Sequence, residues 1–228
     1  MRVLAFDVGT KTLSYCVLDV VADSAPVVHA WETVNVHEEA GLPPKAKPTM
    51  REDSEYVMRA LSARVDDLWA LSPDGVVVEQ QPAGGRNMFS SVRMKCLSHV
   101  IHAFFYTHQL RCSGSVDVPV GFVSPSSKLV GMDAGETPAD VLARQGGDRK
   151  AMGSKYRKNK KHAVETTAAM LTTMVDDEVT HAARLTFAGA VGKQDDLADA
   201  FMLAYAHGLK QVRGLVQKKT RKRKRVGP

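Results

Sequence analysis

The chain has 228 residues, 44% of them hydrophobic, which is enough for one packed domain with appendages. Its three scattered cysteines form no C-x-x-C pair, which argues against a disulfide framework or a zinc site and predicts an intracellular protein with reduced thiols. No apolar run is long enough to cross a bilayer, so no membrane partner is expected. The first predicted strand starts at Arg2, so we also expect no secretory or transit segment.

The net charge of +6 is distributed unevenly along the sequence. Residues 217–228 contain seven Lys/Arg and no acid, and residues 149–161 contain another seven and no acid. Without these two segments the remaining body has a net charge of −8. Two basic segments on an acidic body predict a polyanionic partner together with a cation-binding site. The alternative for each segment is a solvated, flexible stretch.

The hydrophobic pattern predicts a mixed α/β protein that opens with a β-hairpin. In chain order, strands are predicted at 3–6, 13–18, 26–36, 76–78 and 118–123, and helices at 51–71, 88–109, 160–175 and 193–212. This order favours a mixed sheet with helices on its faces. Loops are expected at 37–50 and 80–87, and 176–192 is left unassigned.

Two segments fall outside this regular pattern. Residues 126–154 are Gly-rich and long for a compact domain, which predicts an inserted or mobile loop. Residues 214–228 are predicted to form a basic disordered tail, and residues 1–213 form the main domain. The tail resembles either an arm that contacts DNA or a nuclear-localisation signal, which would suit a host nucleus or a viral replication site.

Four carboxylates stand at the ends of predicted elements. Asp7 ends the first strand, and Glu79 ends the short apolar strand at 76–78. Asp196 and Asp199 are three residues apart and therefore share one face of the last helix. Acids in a first helical turn can simply complement the helix dipole, but two on one face repel each other unless a cation lies between them. Asp195, off that face, is best explained as an N-terminal cap.

The opening turn has a structural and a functional interpretation. Asp7 can cap the hairpin turn, as many acids do. Alternatively, Asp7 holds a ligand and Gly9 leaves room for a phosphate or a metal-bound group to approach the backbone.

The chemistry of the four acids suits a hard cation. Carboxylate oxygens without His or Cys neighbours favour Mg²⁺ or Mn²⁺. Two such ions roughly 3.5–4 Å apart can activate a water and stabilise the leaving oxygen in phosphodiester hydrolysis. The set Asp7, Glu79, Asp196 and Asp199 therefore predicts a nuclease-like metal centre.

Five stretches along the chain together resemble one known family: DVGTKTLSYCVL, VVVEQQ, SPSSK, KYRKNKKHAVETTAAML and KQDDLADAFMLA. They are similar to the RuvC-type Holliday junction resolvases of the ribonuclease H-like superfamily. The closest branch contains the resolvases of poxviruses and other large DNA viruses and the fungal mitochondrial enzymes. The similarity extends from Arg2 to about Lys210.

The resemblance implies a fold, an activity and a site. The fold is a ribonuclease H-like mixed five-stranded sheet, with its first three strands antiparallel, flanked by helices. The implied enzyme is a homodimer that resolves four-way or otherwise branched DNA with two Mg²⁺ or Mn²⁺ ions per active site. In that family four acids bind the metals, and they correspond to Asp7, Glu79, Asp196 and Asp199 here.

The resemblance also implies a catalytic lysine near the scissile phosphate. Lys128 in SPSSK and Lys161 in KKHAVE are the best matches, and Lys158 and Lys160 are alternatives. The segment 131–153 is longer than expected between those motifs. Lysines in such runs usually contact phosphates or solvent only.

Three other functions are compatible with parts of the sequence. The sugar-kinase/actin superfamily also carries a D-x-G-T phosphate loop on a hairpin, but this chain lacks the two duplicated lobes and the Gly-rich adenosine motif. A non-catalytic DNA-binding protein with a degenerate nuclease fold would not need all four acids, since buried unpaired acids are costly. A ribonuclease H or transposase-like nuclease with another substrate remains open.

Overall fold

The N-terminal hairpin forms the middle of the sheet around which the chain is built. A computed structural model describes residues 1–22, 24–81, 88–114, 117–125, 151–190 and 192–225. Within them the strands are β1 (Arg2–Val8), β2 (Thr12–Asp19), β3 (Val27–Asn35), β4 (Gly75–Glu79) and β5 (Val120–Val123). The helices are α1 (Val36–Glu39), α2 (Met50–Ser62), α3 (Val65–Ala70), α4 (Met88–Ser113), α5 (Ala151–Thr173), α6 (Glu178–Gly189) and α7 (Gln194–Arg225).

The five strands form one mixed sheet in the order β3-β2-β1-β4-β5. The pairs β1–β2 and β2–β3 are antiparallel, whereas β4 lies parallel to β1, and β5 lies parallel to β4. This arrangement confirms the predicted fold class, with three antiparallel strands followed by a parallel pair. No helix in the described ranges is both long and apolar enough to span a membrane.

Side-chain alternation along the strands sorts the core into two layers, because successive residues point to opposite faces of a sheet. One layer, called the α7 face, joins helices α5, α6 and α7 to these strand residues: Val3, Ala5, Cys16, Leu18 and Val77. The other, called the α4 face, joins α2, α3 and α4 to these: Leu4, Phe6, Val17, Val76 and Val78. Both faces of the sheet are therefore covered by helices.

The predicted helix at 51–71 is two helices, which corrects the sequence interpretation. Helix α2 begins at a capping box, in which Thr49 and Glu52 each accept a hydrogen bond from the other's backbone N–H, and it ends at Ser62 with Ala63 as its C-cap. Arg64 has φ of −121° and starts the separate helix α3. The break contains no Gly or Pro, so the sequence carries no local signal for it. The Arg64 guanidinium donates hydrogen bonds to both Glu32 and Glu39, and these contacts depend on the tertiary fold.

Three other segments differ from the predicted elements. The predicted loop at 37–50 contains the short helix α1, and the unassigned stretch at 176–192 contains α6. Helix α5 begins at Ala151, nine residues before the predicted start, and residues 126–150 of the predicted loop lie outside the described part.

The last helix is longer than the sequence suggests. Helix α7 continues to Arg225, whereas a disordered tail was predicted from residue 214. Residues 214–225 contain no Pro, and most are good helix formers that can extend an existing helix one hydrogen bond at a time.

Candidate functional site

Asp7 and Glu79 lie at neighbouring strand ends on the same face of the sheet. In the parallel pair β1–β4, Phe6 lies beside Val78, and Asp7 and Glu79 are the next residues on the two strands. Because Val3 and Ala5 on β1 and Val77 on β4 belong to the α7 face, alternation points both acids toward α7. Glu79 is buried, and Asp7 is half-buried.

The N-terminal turns of α7 bring two more acids to this edge. Helix α7 packs across β1 and β2, and its start is fixed by Trp31, whose indole N–H donates to the Leu197 carbonyl over 3.0 Å. Asp196 and Asp199 flank this anchored residue, one turn apart and both half-buried. The helix start therefore carries Asp196 to the edge where Asp7 and Glu79 end their strands, with Asp199 one turn further along α7.

The electrostatics of Asp196 indicate that acids are concentrated here. Burial, and then the negative charges of Asp195 and Asp7, raise the pKa of Asp196 above its ordinary value. The Thr12 hydroxyl donates a hydrogen bond to Asp196 Oδ2 over 3.3 Å. Asp7 and Asp196 thus come from distant parts of the sequence and repel each other across the β1–α7 junction. A bound cation would relieve this repulsion.

Gln81 is a contributor to this edge that sequence reasoning missed. Its side-chain amide is buried and donates to both the Val8 carbonyl and Glu79 Oε2, each over 3.3 Å. It thereby links the ends of β1 and β4 and orients the Glu79 carboxylate. The available signal was that Gln81 is the second polar residue after the end of β4. A glutamine is unusual at a position that becomes buried.

The structure distinguishes among the candidate lysines. Lys160 on α5 forms a close ion pair with Asp195 on α7, beside Asp196. Lys161 is 78% exposed, and its ammonium lies 3.6 Å from Glu165 on its own helix, so this side chain is not brought to the acids. Lys128 lies outside the described residues. A catalytic role for Lys128 or Lys161 stays a prediction.

Two local interpretations need correction. Helix α7 starts at Gln194, so Asp195 lies inside its first turn and pairs with Lys160 instead of capping the helix. Gly9 does not leave open space, because a Cβ there would meet Thr12 Oγ1 at 2.8 Å and the Thr12 carbonyl at 3.0 Å. The Gly9 N–H also donates to that carbonyl over 2.9 Å, so glycine is needed for the tight turn itself.

The donor set suits a hard cation, but its side chains are not gathered into a finished site. Asp7, Glu79, Asp196 and Asp199 offer only carboxylate oxygens, the ligands that Mg²⁺ and Mn²⁺ prefer. In the part of the chain that the structure describes, no three His, Cys, Asp or Glu side chains lie close enough together to hold an ion. The residues fit such a metal chemically.

One family model matches residues 3–186, which is most of the chain. Its description is "Mitochondrial resolvase Ydc2 / RNA splicing MRS1". The chain belongs to this family. The match includes Asp7 and Glu79 and ends before Asp196 and Asp199, so the last two acids depend on the geometry described above.

Solved structures of resolvases share the fold of this Ydc2-family chain. The yeast mitochondrial Holliday junction resolvase Ydc2 is 18% identical with a TM-score of 0.56, and the match covers 95% of this chain and 85% of that chain. Thermus thermophilus RuvC in complex with a Holliday junction substrate is 17% identical with a TM-score of 0.55, over 94% and 96%. The Fowlpox virus resolvase, in complex with junction DNA, is 18% identical with a TM-score of 0.50, over 94% and 99%.

These similarities confirm the family resemblance and the ribonuclease H-like fold. No curated protein sequence matches the chain significantly. Membership of the Ydc2 family does not favour the sugar-kinase/actin alternative, in which the opening hairpin would have bound a nucleotide.

Proposed function

We propose that this Ydc2-family protein is a divalent-metal-dependent endonuclease that resolves four-way and other branched DNA. The observation that supports the proposal is that Asp7, Glu79 and Asp196 approach one edge of a ribonuclease H-like sheet, with Asp199 one turn beyond Asp196 on α7. The basic segments of the sequence suit a phosphodiester polymer as substrate. Resolvases bound to junction DNA have the same fold.

Each residue of the site has a distinct role in the proposed reaction. The four carboxylates would hold Mg²⁺ or Mn²⁺, two ions per site, and these ions would supply a lowered pKa for a nucleophilic water and stabilisation of the leaving oxygen. Gln81 keeps the Glu79 carboxylate oriented, and Thr12 does the same for Asp196. Lys160, held by Asp195, supplies a positive charge beside the acids for the negative charge that develops on the phosphate.

A cleavage assay tests this function directly. Purified protein is incubated with Mg²⁺ and a four-way junction, beside a linear duplex and an RNA–DNA hybrid of matching sequence. We expect paired cuts on opposed strands of the junction and little cutting of the other two. Cleavage of the hybrid alone would favour a ribonuclease H-like enzyme. Binding without any cleavage would favour a non-catalytic member, and the family description also includes an RNA splicing protein.

We further propose a homodimer, because opposed strands need two active sites. Support comes from the outer side of α4, where the residues follow alternating steps of three and four. All of these positions are exposed: Phe89, Val92, Cys96, His99, Ala103, Tyr106 and Leu110. Phe89 is 86% exposed and Val92 is 53% exposed, while the opposite side of α4 holds the buried Leu97, Ile101 and Phe105. Heptad spacing of this kind is typical of a helix–helix seam.

The dimer has its own test. Val92→Glu and Leu110→Glu together should convert a dimer into a folded monomer in light scattering, because they place like charges along the seam. Leu185→Glu, on α6 and 61% exposed, is the matched control and should leave the oligomeric state unchanged. A wild-type chain that is monomeric at working concentration would contradict the proposal.

A further inference from the structure

The segment between α1 and α2 lies at the same end of the sheet as the acids. Strand β3 is antiparallel to β2, so it runs in the same direction as β1. The carboxyl ends of β1, β3 and β4 therefore lie at one edge, where Asp7 and Glu79 end their strands. Residues 40–49, called the Pro loop, follow β3 and the short helix α1 at this edge.

A series of contacts connects the Pro loop to the acids. The Lys11 ammonium donates to the Pro44 carbonyl over 3.2 Å. Lys11 is next to Thr12, whose hydroxyl donates to Asp196 over 3.3 Å. Lys11 is also four residues after Asp7, which limits the separation of their Cα atoms to about 14 Å. Contacts of described side chains thus place the Pro loop beside the acid edge.

The conformation of the Pro loop is restricted from both ends. Three of its ten residues are proline, and proline fixes φ. Lys11 holds the Pro44 carbonyl, and the Arg93 guanidinium donates to the Pro48 carbonyl. Thr49 ends the loop as the cap of α2. A loop ordered in this way loses little conformational entropy when it binds a ligand.

The Pro loop presents positive charge that the protein does not neutralise. Lys11, Lys45 and Lys47 are all exposed. Among the described residues, no carboxylate lies within ion-pair distance of these three lysines, because the acids nearby in sequence have other partners. The pairs are Glu38 with Asn35, Glu39 with Arg64, Glu52 with Thr49, Asp53 with His37 and Arg93, and Glu55 with Arg51.

This charge lies on the opposite side of the acid edge from Lys160. Lys160 belongs to α5, which packs on the α7 face, whereas the Pro loop leads into α2, which packs on the α4 face. The acids are therefore flanked by positive charge on both sides of the sheet. Such an arrangement suits a polyanion that crosses the edge.

We propose that Lys11, Lys45 and Lys47, called the lysine cluster, bind backbone phosphates of the DNA strand that is cut. The proposal rests on the proposed function, which places the scissile phosphate at the acids. With about 3.4 Å of rise per phosphate of one strand, 14 Å corresponds to about four nucleotides from the cut. Because the lysine cluster contacts phosphates, it raises affinity and sets the position of the strand without reading its sequence.

Removal of single phosphate charges tests this contact. Binding of four-way junctions is measured without Mg²⁺ at about 0.15 M salt, with one phosphate at a time replaced by an uncharged methylphosphonate, outward from the crossover. Wild type is compared with the double variant Lys45→Gln and Lys47→Gln, whose positions are exposed and outside helices and strands. The matched control, Lys210→Gln with Arg213→Gln, removes the same charge from exposed positions further along α7. Cut positions are mapped separately with wild type and Mg²⁺.

We expect the Lys45/Lys47 variant to bind the unmodified junction about 5- to 30-fold more weakly, with a salt slope lower by up to about 1.8. It should also become insensitive to methylphosphonates within about four nucleotides of the cut, at positions where they weaken wild-type binding. The control should keep the wild-type pattern.

Three results would overturn the inference. They are wild-type affinity in the Lys45/Lys47 variant, an equal loss in the control, and full sensitivity of the variant at every phosphate near the cut. Failure of the proposed function appears separately, because wild-type protein would then leave the junction uncut in the presence of Mg²⁺.

Discussion

At the scale of single residues, the contacts of Asp195 and Asp196 predict different roles for two adjacent acids. Asp7→Asn and Asp196→Asn should each abolish junction cleavage while junction binding persists, because the basic surface is unchanged. The loss should exceed the about 10- to 100-fold that removal of an outer-shell partner costs. Gel assays of binding and cutting on the same junction measure both effects.

Asp195→Asn is the matched control for this series. Its carboxylate pairs with Lys160, so we expect a partial loss, within about 10- to 100-fold. An Asp195→Asn protein as inactive as Asp196→Asn would mean that Asp195 itself binds metal. Wild-type turnover in Asp7→Asn would remove the basis of the proposed site.

The neighbouring lysines offer a second comparison at this scale. Lys160→Met should lower the cleavage rate by about tenfold or more, since it removes the positive charge beside Asp195 and Asp196. Lys161→Met should change little, because that side chain is exposed and contacts Glu165. Single-turnover rates at saturating protein separate this effect from binding. The reverse ranking would restore Lys161 as the catalytic lysine suggested by the sequence.

At the scale of elements, the packing of α7 on β2 depends on a glycine. A Cβ at Gly208 would lie 2.7 Å from Val20 Cγ2 and 2.8 Å from its Cβ, and Val20 is fully buried. Gly208→Ala should therefore destabilise the protein by about 1–3 kcal/mol, despite the higher helix propensity of Ala. Thermal unfolding measures this as a fall in Tm of about 2–4 °C per kcal/mol. Gly214→Ala, which meets no neighbour, should not lower Tm.

Arg64 links three elements and makes stability depend on pH. Its guanidinium hydrogen bond lowers the pKa of Glu32 below the ordinary value of 4.5, although partial burial opposes the shift. A carboxylate with a lowered folded pKa stabilises the fold above the unfolded pKa, and this contribution disappears as pH falls through the folded pKa. Arg64→Met should therefore be less stable than wild type at pH 7, and the gap should narrow below about pH 4. An equal gap at both pH values in urea unfolding would contradict this explanation.

The elements that the sequence predicted well are those with a strong apolar period. The short apolar runs of β1 and β4 were sufficient to assign Asp7 and Glu79 to strand ends, and the mixed five-stranded sheet with its first three strands antiparallel followed from the family resemblance. Helix α6 was missed because its buried residues are few and include the small or polar Thr180 and Ala183. The sequence could not distinguish the role of Lys160 from that of Lys161, because the basic run places lysines on several sides of α5. Only the packing of α5 against α7 brings Lys160 to Asp195.

At the scale of the whole molecule, the fold brings negative charge to one sheet edge while the sequence concentrates positive charge elsewhere. Folding buries Asp196 and brings Asp7 near it, and this burial and the repulsion from the adjacent Asp195 and from Asp7 raise the pKa of Asp196. That repulsion opposes folding of the protein alone. The native state should therefore gain stability from any ion that binds this edge, and the unfolded chain should not, because its acids are far apart.

This linkage gives a test that does not depend on catalysis. Mg²⁺ and Mn²⁺ should raise Tm in a concentration-dependent way. The free energy of unfolding should increase by about 2.7 kcal/mol when the ion is at 100 times its Kd. The shift should shrink in Asp196→Asn and persist in Lys161→Met. Ca²⁺ should also raise Tm and support junction binding, yet support little cleavage, because its larger and looser coordination misplaces the water. Zn²⁺ should not be required. Robust cleavage in excess EDTA, or a Tm shift that is equal in Asp196→Asn, would show that these carboxylates are not the metal ligands.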